Sequence, residues 1–299
     1  MTRPTDAVQI RDPFVVPMPE ERRYYLFGST DPNIWGAGTG FDFYVGTDLK
    51  HWDGPFPAFR PSPAFWADEN FWAPEVYRYQ GRYYMFATFK AKGGRRGTGV
   101  LAADSIRGPY VPVSQGAVTP ADWDALDGTL YVDDNGTPWM IFCHEWAQIR
   151  DGEICLMRLS PDLCRADGPA LPLFRGSDGP WATPKRNKIY PLNEPAYVTD
   201  GPFVYRSAHG TLIMLWSSFR DERYALGYAA SPSGRITGPW IQEKLPLFAA
   251  DGGHGMLFRT FKGELCLALH QPNQTPNERP VFVPVREEQG VIRVASGRE

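Results

Sequence analysis

The amino-acid sequence predicts an all-β protein, a five-bladed β-propeller with four antiparallel strands in each blade. Two observations carry this prediction. An apolar strand, a polar turn and a stronger apolar strand recur five times along the chain, and a second strand pair follows the hairpins. Units of about 60 residues with this content are typical of propeller blades, and helical periodicity is not sustained anywhere. We therefore expect residues 1–299 to form a single propeller domain.

The five hairpins have comparable turns. Four of them carry a glycine, which supplies the positive φ of a tight turn. These glycines are Gly81, Gly136, Gly210 and Gly263. The hairpins themselves span Asp12–Thr30, Ala73–Phe89, Gly128–Trp146, Gly201–Phe219 and Gly255–Asn273. Closure of the ring stays open at this point. Either Val281–Val285 or Val291–Val294 lies beside N-terminal residues, or the ring closes without such a clasp.

Composition excludes several classes of partner. The formal net charge is −3 and the chain has no long basic run, which disfavours a nucleic acid or an anionic membrane as partner. Residues 1–10 lack the apolar segment of a signal peptide, and no stretch approaches the length of a membrane span. We expect a cytoplasmic protein, or a secreted one if a signal peptide has been removed. We further expect a monomer or a weak homo-oligomer.

Acidic residues recur where the first strand of a blade begins. Asp12, Asp127 and Asp200 stand at the starts of blades one, three and four, and His254 stands at the start of blade five. These starts face one end of the axial channel, so the side chains converge there. Converging carboxylates repel one another and cost stability unless they have a task. A single Asp-Pro or Asp-Gly is a common turn sequence, but three at comparable positions favour a site for glycoside hydrolysis, which needs two carboxyl groups.

With one motif per blade, the chain resembles glycoside hydrolase family 43 over nearly its whole length. The motifs are Arg11-Asp12-Pro13, Phe71-Trp72-Ala73-Pro74-Glu75, Leu126-Asp127-Gly128, Asp200-Gly201-Pro202 and Gly253-His254-Gly255. The resemblance implies an inverting, exo-acting hydrolase for α-L-arabinofuranosides or β-D-xylosides of plant-type polysaccharides or their oligosaccharides. It assigns the general base to Asp12 and the carboxylate that tunes the acid to Asp127. No cofactor is required; His254 is the candidate to hold a hydrated structural Ca²⁺, or a buried water, on the axis.

The chain departs from the family at the general acid. The family has Glu-Gly-Pro at the start of blade four, where this chain has Asp200-Gly201-Pro202, and aspartate is one methylene shorter. A displacement of about 1 Å can cost on the order of a hundredfold in rate. We prefer Glu145, at the end of the second strand of blade three, as the acid, followed by Asp200 and then Glu194 in the loop before blade four. Glu145→Gln is therefore expected to impair substrates with poor leaving groups, and Asp200→Asn to weaken all substrates mildly.

Several further residues are candidates for binding the sugar. Trp35, Trp72 and Trp146 lie at strand ends or in loops of the same face, and sugar C–H faces stack on aromatic rings. His144 is expected to hydrogen-bond a sugar hydroxyl, and Glu194 is expected to reach the substrate from its loop. Loops at Asn33–Gly40 and Ser177–Asn193 suggest a closed pocket rather than an open groove.

Other functions remain open on sequence alone. The Asp200 departure supports a catalytically impaired carbohydrate-binding propeller, and another furanoside such as galactofuranose is the alternative sugar. A retaining fructosidase needs an Asn-Asp-Pro start and a Glu-Cys pair, and the chain has neither. A glycoside phosphorylase would need a basic phosphate pocket, which phosphate-dependent turnover would reveal.

Overall fold

A computed structural model of the protein describes residues 1–189 and 194–295, and these residues form five antiparallel sheets arranged around an axis. Blade one contains β1 (Thr2–Pro4), β2 (Arg11–Met18), β3 (Arg23–Ser29), β4 (Phe41–Gly46) and β5 (His51–Phe59). Blade two contains β6 (Glu69–Tyr79), β7 (Arg82–Lys90), β8 (Arg96–Ala103) and β9 (Val111–Pro112). Blade three contains β10 (Ala125–Val132), β11 (Pro138–His144), β12 (Glu153–Arg158) and β13 (Leu171–Arg175).

Blades four and five have four consecutive strands each, as blades two and three do. Blade four contains β14 (Asp200–Arg206), β15 (Leu212–Arg220), β16 (Arg223–Ser231) and β17 (Ile241–Gln242). Blade five contains β18 (Gly253–Arg259), β19 (Leu265–Gln271), β20 (Arg279–Glu288) and β21 (Val291–Val294). Helix is limited, in the described residues, to the single turn α1 (Trp146–Ile149) and two 3₁₀ turns at Thr5–Ala7 and Gly176–Asp178. The predicted five-bladed all-β propeller is confirmed.

The ring closes without a strand shared between the two ends of the chain. The first strands contact one another in the order β2, β6, β10, β14, β18 and back to β2. The N-terminal β1 pairs with β5 inside blade one, and β20 and β21 pair inside blade five. Strand β20, which includes Val281–Val285, contacts the N-terminal turn Thr5–Ala7, the Ile10 amide donates to the Glu278 carbonyl oxygen, and Arg11 binds Asn273 and Glu278. Of the closures that the sequence left open, the described residues thus show the strand of Val281–Val285 beside N-terminal residues, without strand pairing between them.

Every first strand begins with the same irregularity. Two residues oppose a single residue of the second strand, which is the pairing of a β-bulge. The bulged pairs are Asp12-Pro13, Ala73-Pro74, Asp127-Gly128, Gly201-Pro202 and His254-Gly255. A bulge leaves one residue outside the hydrogen-bond ladder, so a proline without an N–H is tolerated at its second position. The X-Pro and X-Gly pairs at the blade starts are thus bulges rather than turns.

The core consists of side chains packed between neighbouring blades. Trp52 and Trp216 are among the largest fully buried side chains, and Cys143, Cys155 and Cys266 are buried free thiols, as the sequence predicted. The four predicted turn glycines all have positive φ. No helix in the described part of the chain is long and apolar enough to span a membrane.

Candidate active site

A cavity of about 310 Å³ opens at the end of the axis where the first strands begin. Its charged and polar lining includes Arg11, Asp12, Asp127, Glu145, Lys185, Asp200 and His254. Its aromatic lining consists of Trp35, Trp72, Trp146, Phe219 and Tyr224. Five carboxylates were proposed for catalysis from the sequence. Four of them, Asp12, Asp127, Glu145 and Asp200, line this cavity, and the third-ranked acid Glu194 is not among the lining residues.

The bulges aim side chains into this cavity. The first bulge residue of each blade has a left-handed backbone, with φ between 46° and 58°. These residues are Asp12, Ala73, Asp127, Gly201 and His254. The conformation is uncommon for residues other than glycine, and five equivalent instances on one axis indicate a built feature. At Gly201 a Cβ atom would lie 2.6 Å from the His254 ring, so this position requires glycine on two counts.

This register corrects one expectation. Asp12, Asp127 and Asp200 do not occupy equivalent positions, because Asp200 stands one residue before the bulge of its blade. Its counterpart in blade one is Arg11, which likewise pairs with the end of the second strand. Asp200 therefore approaches the axis from the regular part of strand β14, whereas Asp12 and Asp127 project from bulges.

His254 lies at the centre of the three aspartates. Its Nδ1 atom is 3.2 Å from Oδ1 of Asp12, 3.7 Å from Oδ2 of Asp127 and 4.0 Å from Oδ1 of Asp200. The imidazole therefore adjoins carboxylates from three different blades. All four side chains start from the ends of strands, so the blades themselves fix the geometry of the cluster.

Asp12 is buried with one oxygen satisfied and one free. Its Oδ2 accepts a 2.7 Å hydrogen bond from the Ser29 hydroxyl. Its Oδ1 accepts no hydrogen bond from the described residues, although three nitrogen atoms lie near it: His254 Nδ1 at 3.2 Å, His270 Nδ1 at 3.4 Å and Arg11 Nε at 3.5 Å. A buried carboxylate oxygen without a donor is costly, so this atom is a candidate to bind a water or substrate hydroxyl.

Asp127 and Asp200 form a close carboxyl pair. The ligand atoms of Asp127, Asp200 and His254 all lie within 4.8 Å of one another. Burial, the negative charge of Asp200 and that of Asp12 raise the pKa of Asp127 well above its usual range. Asp200 accepts a 2.6 Å hydrogen bond from the Tyr224 hydroxyl, and its side chain is 20% exposed against 3% for Asp127. Against the effect of burial, the hydrogen bonds from Asp127 and Tyr224 lower the pKa of Asp200, so the proton that the pair retains lies on Asp127, and Asp200 presents the more accessible carboxyl to the cavity.

Glu145 lies in the wall of the cavity and forms an ion pair with Arg96. The Arg96 guanidinium also stacks over the Trp72 ring, 5.1 Å from its centroid, and its Nε donates to Asn70. Burial raises the pKa of Glu145 to about 7, against the lowering effect of Arg96. The sequence placed Glu145 near Asp127, but its backbone N–H pairs with Asp124, three residues before Asp127, and its carboxylate turns towards blade two.

The aromatic residues differ in what they offer a sugar. Trp35 is 62% exposed and packs edge-to-face against Trp72 with 5.2 Å between centroids. Trp72 is mostly buried, and Trp146 packs against the cluster of Val198, Phe219 and Tyr224. All three predicted tryptophans line the cavity, and Trp35 has the largest free ring surface.

Two predicted binding residues lie elsewhere. His144 stacks on Trp123 with 4.0 Å between ring centroids and pairs with Gln148. Glu194 forms an ion pair with Arg150 on an exposed loop. Neither belongs to the described residues that line the cavity, so a sugar in the cavity would not meet them directly. Of the loop Ser177–Asn193, residues 190–193 lie outside the described residues.

Sequence reasoning missed four residues of the site: Arg11, Lys185, Tyr224 and His270. Arg11 belongs to the motif Arg11-Asp12-Pro13, and His270 occupies the same second-strand position as Ser29. Aligning the sequences of the five blades with one another could have identified both residues. Tyr224 reaches Asp200 from the start of β16. Lys185 reaches the cavity from a loop, where its ammonium lies 3.5 Å from the centre of the Phe219 ring. No pattern in the sequence marks Tyr224 or Lys185.

Comparisons with known proteins identify the family to which the chain belongs. The sequence profile of Glycosyl hydrolases family 43 matches residues 1–288. A solved structure described as an endo-arabinase from Bacteroides thetaiotaomicron VPI-5482 is 41% identical, superposes with a TM-score of 0.87, and covers 96% of this chain and 98% of its own. An exo-1,5-α-L-arabinanase from a bovine ruminal metagenomic library shares the fold at a TM-score of 0.72, with 18% identity, 99% of this chain covered and 99% of its own.

One curated relative matches part of this chain. The extracellular exo-alpha-(1->5)-L-arabinofuranosidase ArbA of Cellvibrio japonicus (strain Ueda107) is 27% identical over 177 residues, which are 54% of this chain. The match spans 47% of that relative's length. The relative is extracellular, so these findings do not support the cytoplasmic location expected from the sequence. With a profile match over nearly the whole chain and a carboxylate cavity on the propeller axis, the protein belongs to glycosyl hydrolases family 43 and is a glycosidase with a carbohydrate substrate.

Proposed function

We propose that the protein is an inverting glycosidase that removes terminal α-L-arabinofuranosyl residues, with β-D-xylosides as the second substrate class. The observation that carries the proposal is the convergence of three aspartates on His254 at the floor of an aromatic-walled cavity. The names of the relatives, an arabinofuranosidase and an endo-arabinase, support arabinofuranosides as the first class.

Asp12 is the general base of this proposal. Its Oδ2 is held by Ser29, while Oδ1 is buried without a donor, so Oδ1 can accept a proton from an attacking water. The guanidinium of Arg11 forms an ion pair with Asp12, with Nε 3.5 Å from Oδ1. Arg11 is itself anchored to Asn273 and Glu278, which fixes the base against blade five.

Asp200 is the general acid of this proposal, in place of the sequence-based preference for Glu145. The acid needs a neighbour that keeps a proton available, and Asp127 is that neighbour. Asp200 is the member of the pair that is more exposed to the cavity, so a leaving-group oxygen can reach it and Asp127 can pass the proton of the pair to it. Glu145 forms an ion pair with Arg96, and its carboxylate turns towards blade two rather than towards Asp127.

The reaction then follows in one displacement. Asp12 takes a proton from water as the water oxygen bonds to the anomeric carbon, and the bond from that carbon to the glycosidic oxygen breaks. The departing oxygen takes the proton of the Asp127–Asp200 pair from Asp200. The product sugar has the opposite anomeric configuration, because water enters on the face opposite the leaving group. Exchange with solvent then restores the proton to the carboxyl pair.

Glu145 and Trp35, which line the cavity, form the proposed sugar-binding wall, and Arg96 supports it from behind. The Glu145 carboxylate offers an acceptor to sugar hydroxyls, and the exposed Trp35 ring offers a stacking surface. Arg96 is held by Asn70 and Trp72, so this wall is rigid before the sugar arrives.

A resident calcium ion does not suit the described residues. The group around His254 provides one imidazole nitrogen and the carboxylates of Asp127 and Asp200. Calcium prefers six to eight oxygen ligands, and imidazole is a poor partner for it. Family 43 enzymes are generally independent of cofactors, and we propose that His254 positions the three aspartates around its Nδ1 atom rather than binding a metal.

The exo mode rests on the shape of the cavity. A volume of about 310 Å³ at the end of the axis suits the terminal sugar of a chain rather than a long run of sugars. The relative described as an endo-arabinase favours internal cleavage as the second candidate. A time course on linear α-1,5-arabino-oligosaccharides separates the two, since an exo enzyme releases arabinose from the first turnover and an endo enzyme releases shorter oligosaccharides first.

A substrate screen tests the function as a whole. We expect turnover of 4-nitrophenyl α-L-arabinofuranoside to exceed that of the β-D-xyloside and the β-D-galactofuranoside by about tenfold or more. Excess chelator should change the rate by less than about twofold, because the proposed chemistry uses no metal. Turnover of none of these glycosides, with retained binding of oligosaccharides, would instead indicate a binding propeller. A large loss of activity in chelator that added Ca²⁺ restores would contradict the metal-free account.

A further inference from the structure

Four of the five junctions between blades share a hydrogen bond that the mechanism has not used. At four junctions, the N–H of the left-handed bulge residue donates to a side chain on the second strand of the preceding blade. The pairs are Ala73 to Ser29 (2.8 Å), Asp127 to Thr88 (2.8 Å), His254 to Ser217 (2.8 Å) and Asp12 to His270 (3.2 Å). The accepting side chains occupy one equivalent position, opposite the residue just before each bulge.

The fifth junction, between blades three and four, breaks the pattern. The equivalent position on β11 is Cys143, which pairs with Leu126 just before the bulge. A thiol is a weak acceptor compared with a hydroxyl or an imidazole nitrogen. Here the bulge residue is Gly201, and its N–H donates instead to Oδ2 of Asp127 at 3.0 Å. At this junction the Gly201 amide of blade four therefore donates to the Asp127 carboxylate of blade three instead of to a side chain on the second strand.

This hydrogen bond links the two members of the proposed acid pair. Gly201 follows Asp200 directly in the chain, so its amide ties Asp127 to the segment that carries Asp200. The other hydrogen bond to Asp127 is long, 3.5 Å from the Thr88 hydroxyl to Oδ1. Hydrogen bonds from backbone N–H groups to carboxylates are about twice as strong as neutral ones. The Gly201 amide is therefore the strongest orienting contact that the described residues give the Asp127 carboxylate.

We propose that Cys143 is a positioning residue for the acid pair. Because its thiol is a poor acceptor, the Gly201 amide donates to Asp127 instead. That hydrogen bond holds the Asp127 carboxylate against Asp200. The inference rests on the proposed function for the roles of Asp127 and Asp200, but the hydrogen bond itself can be measured without turnover.

Cys143→Ser restores the acceptor that the other junctions possess. Its hydroxyl would compete with Asp127 for the Gly201 amide, as the Ser217 hydroxyl binds the amide of His254. We expect kcat for arabinofuranosides with poor leaving groups to fall about tenfold with KM changed less than about twofold, because orientation and not binding is lost. Cys143→Ala adds no acceptor and should keep kcat within about twofold to threefold. Cys155→Ser, at a second buried cysteine of the same blade, controls for a buried hydroxyl.

A readout independent of catalysis is the amide proton shift of Gly201 in ¹⁵N-labelled protein. We expect a downfield shift in the wild type and in Cys143→Ala, and an upfield change in Cys143→Ser. Equal losses of kcat in the Ser and Ala variants, or a Gly201 amide that does not respond, would overturn the proposal. If Cys143→Ser does not fold, Cys143→Thr supplies the same competing acceptor, as Thr88 does at the equivalent position of blade two, and an unchanged Gly201 shift in it would overturn the proposal. An inactive wild type with the expected Gly201 shifts would refute the proposed function and not the hydrogen bond.

Discussion

Asp12→Asn is expected to lower kcat/KM by about 10³-fold on every glycoside, irrespective of the leaving group. General base catalysis contributes about 10²–10⁴-fold, and the amide cannot accept a proton from the attacking water. The change preserves the shape of the side chain, and the Ser29 hydroxyl can still donate to the amide oxygen. The measurement is steady-state hydrolysis of a dinitrophenyl and an alkyl α-L-arabinofuranoside by the variant and the wild type.

Asp31→Asn is the matched control for this variant. Asp31 is a buried carboxylate of the same blade that accepts hydrogen bonds from Thr39, and it is not among the described residues that line the cavity. Its substitution should leave kcat/KM within about threefold. If Asp12→Asn kept the wild-type rate on the dinitrophenyl substrate while folding normally, Asp12 would not be the base.

Asp200→Asn is expected to show the signature of a lost general acid. Alkyl arabinofuranosides, whose leaving group must be protonated, should lose about 10²–10⁴-fold in kcat/KM. The dinitrophenyl substrate, whose leaving group departs as the anion, should lose less than about tenfold. The Tyr224 hydroxyl remains available to the amide oxygen, so the local geometry is kept. A Brønsted plot of log kcat/KM against leaving-group pKa should steepen in the variant.

Glu145→Gln is the competing variant, and it should weaken both substrate types by a similar factor because a sugar contact is disturbed. If Glu145 were instead the acid, Glu145→Gln alone would show the leaving-group dependence. The wild-type rate would then fall as pH rises through about 7, since an acid must be protonated and burial raises the pKa of Glu145 to about 7. That outcome would restore the assignment favoured by the sequence.

The blades were predictable because their signals are local. Turn glycines such as Gly81 and alternating apolar residues mark hairpins over a few residues, and the strand starts then place Asp12, Asp127 and His254 near one another. The convergence of the three aspartates could be predicted from the rule that the first strand of each blade is innermost. These parts of the site depend on the order of elements and not on the detailed packing.

The remaining parts depend on contacts between blades, which no local pattern contains. The offset of Asp200 by one residue follows from a bulge that begins at Gly201, and Asp-Gly-Pro in the sequence is equally compatible with a turn. Glu145 was expected beside Asp127, yet the guanidinium of Arg96 from blade two holds its carboxylate. Lys185 and Tyr224 enter the cavity from segments whose direction is set only when the blades pack.

The most direct test of the central claim is the configuration of the first-formed product. The account requires a base and an acid on opposite sides of the sugar, with water as the nucleophile. Proton NMR of α-L-arabinofuranoside hydrolysis at early times should therefore show β-arabinofuranose first, followed by mutarotation to the equilibrium mixture. Initial accumulation of the α anomer, or a covalent glycosyl-enzyme trapped with a slow substrate, would contradict the assignment of Asp12 as a base and replace it with a nucleophile.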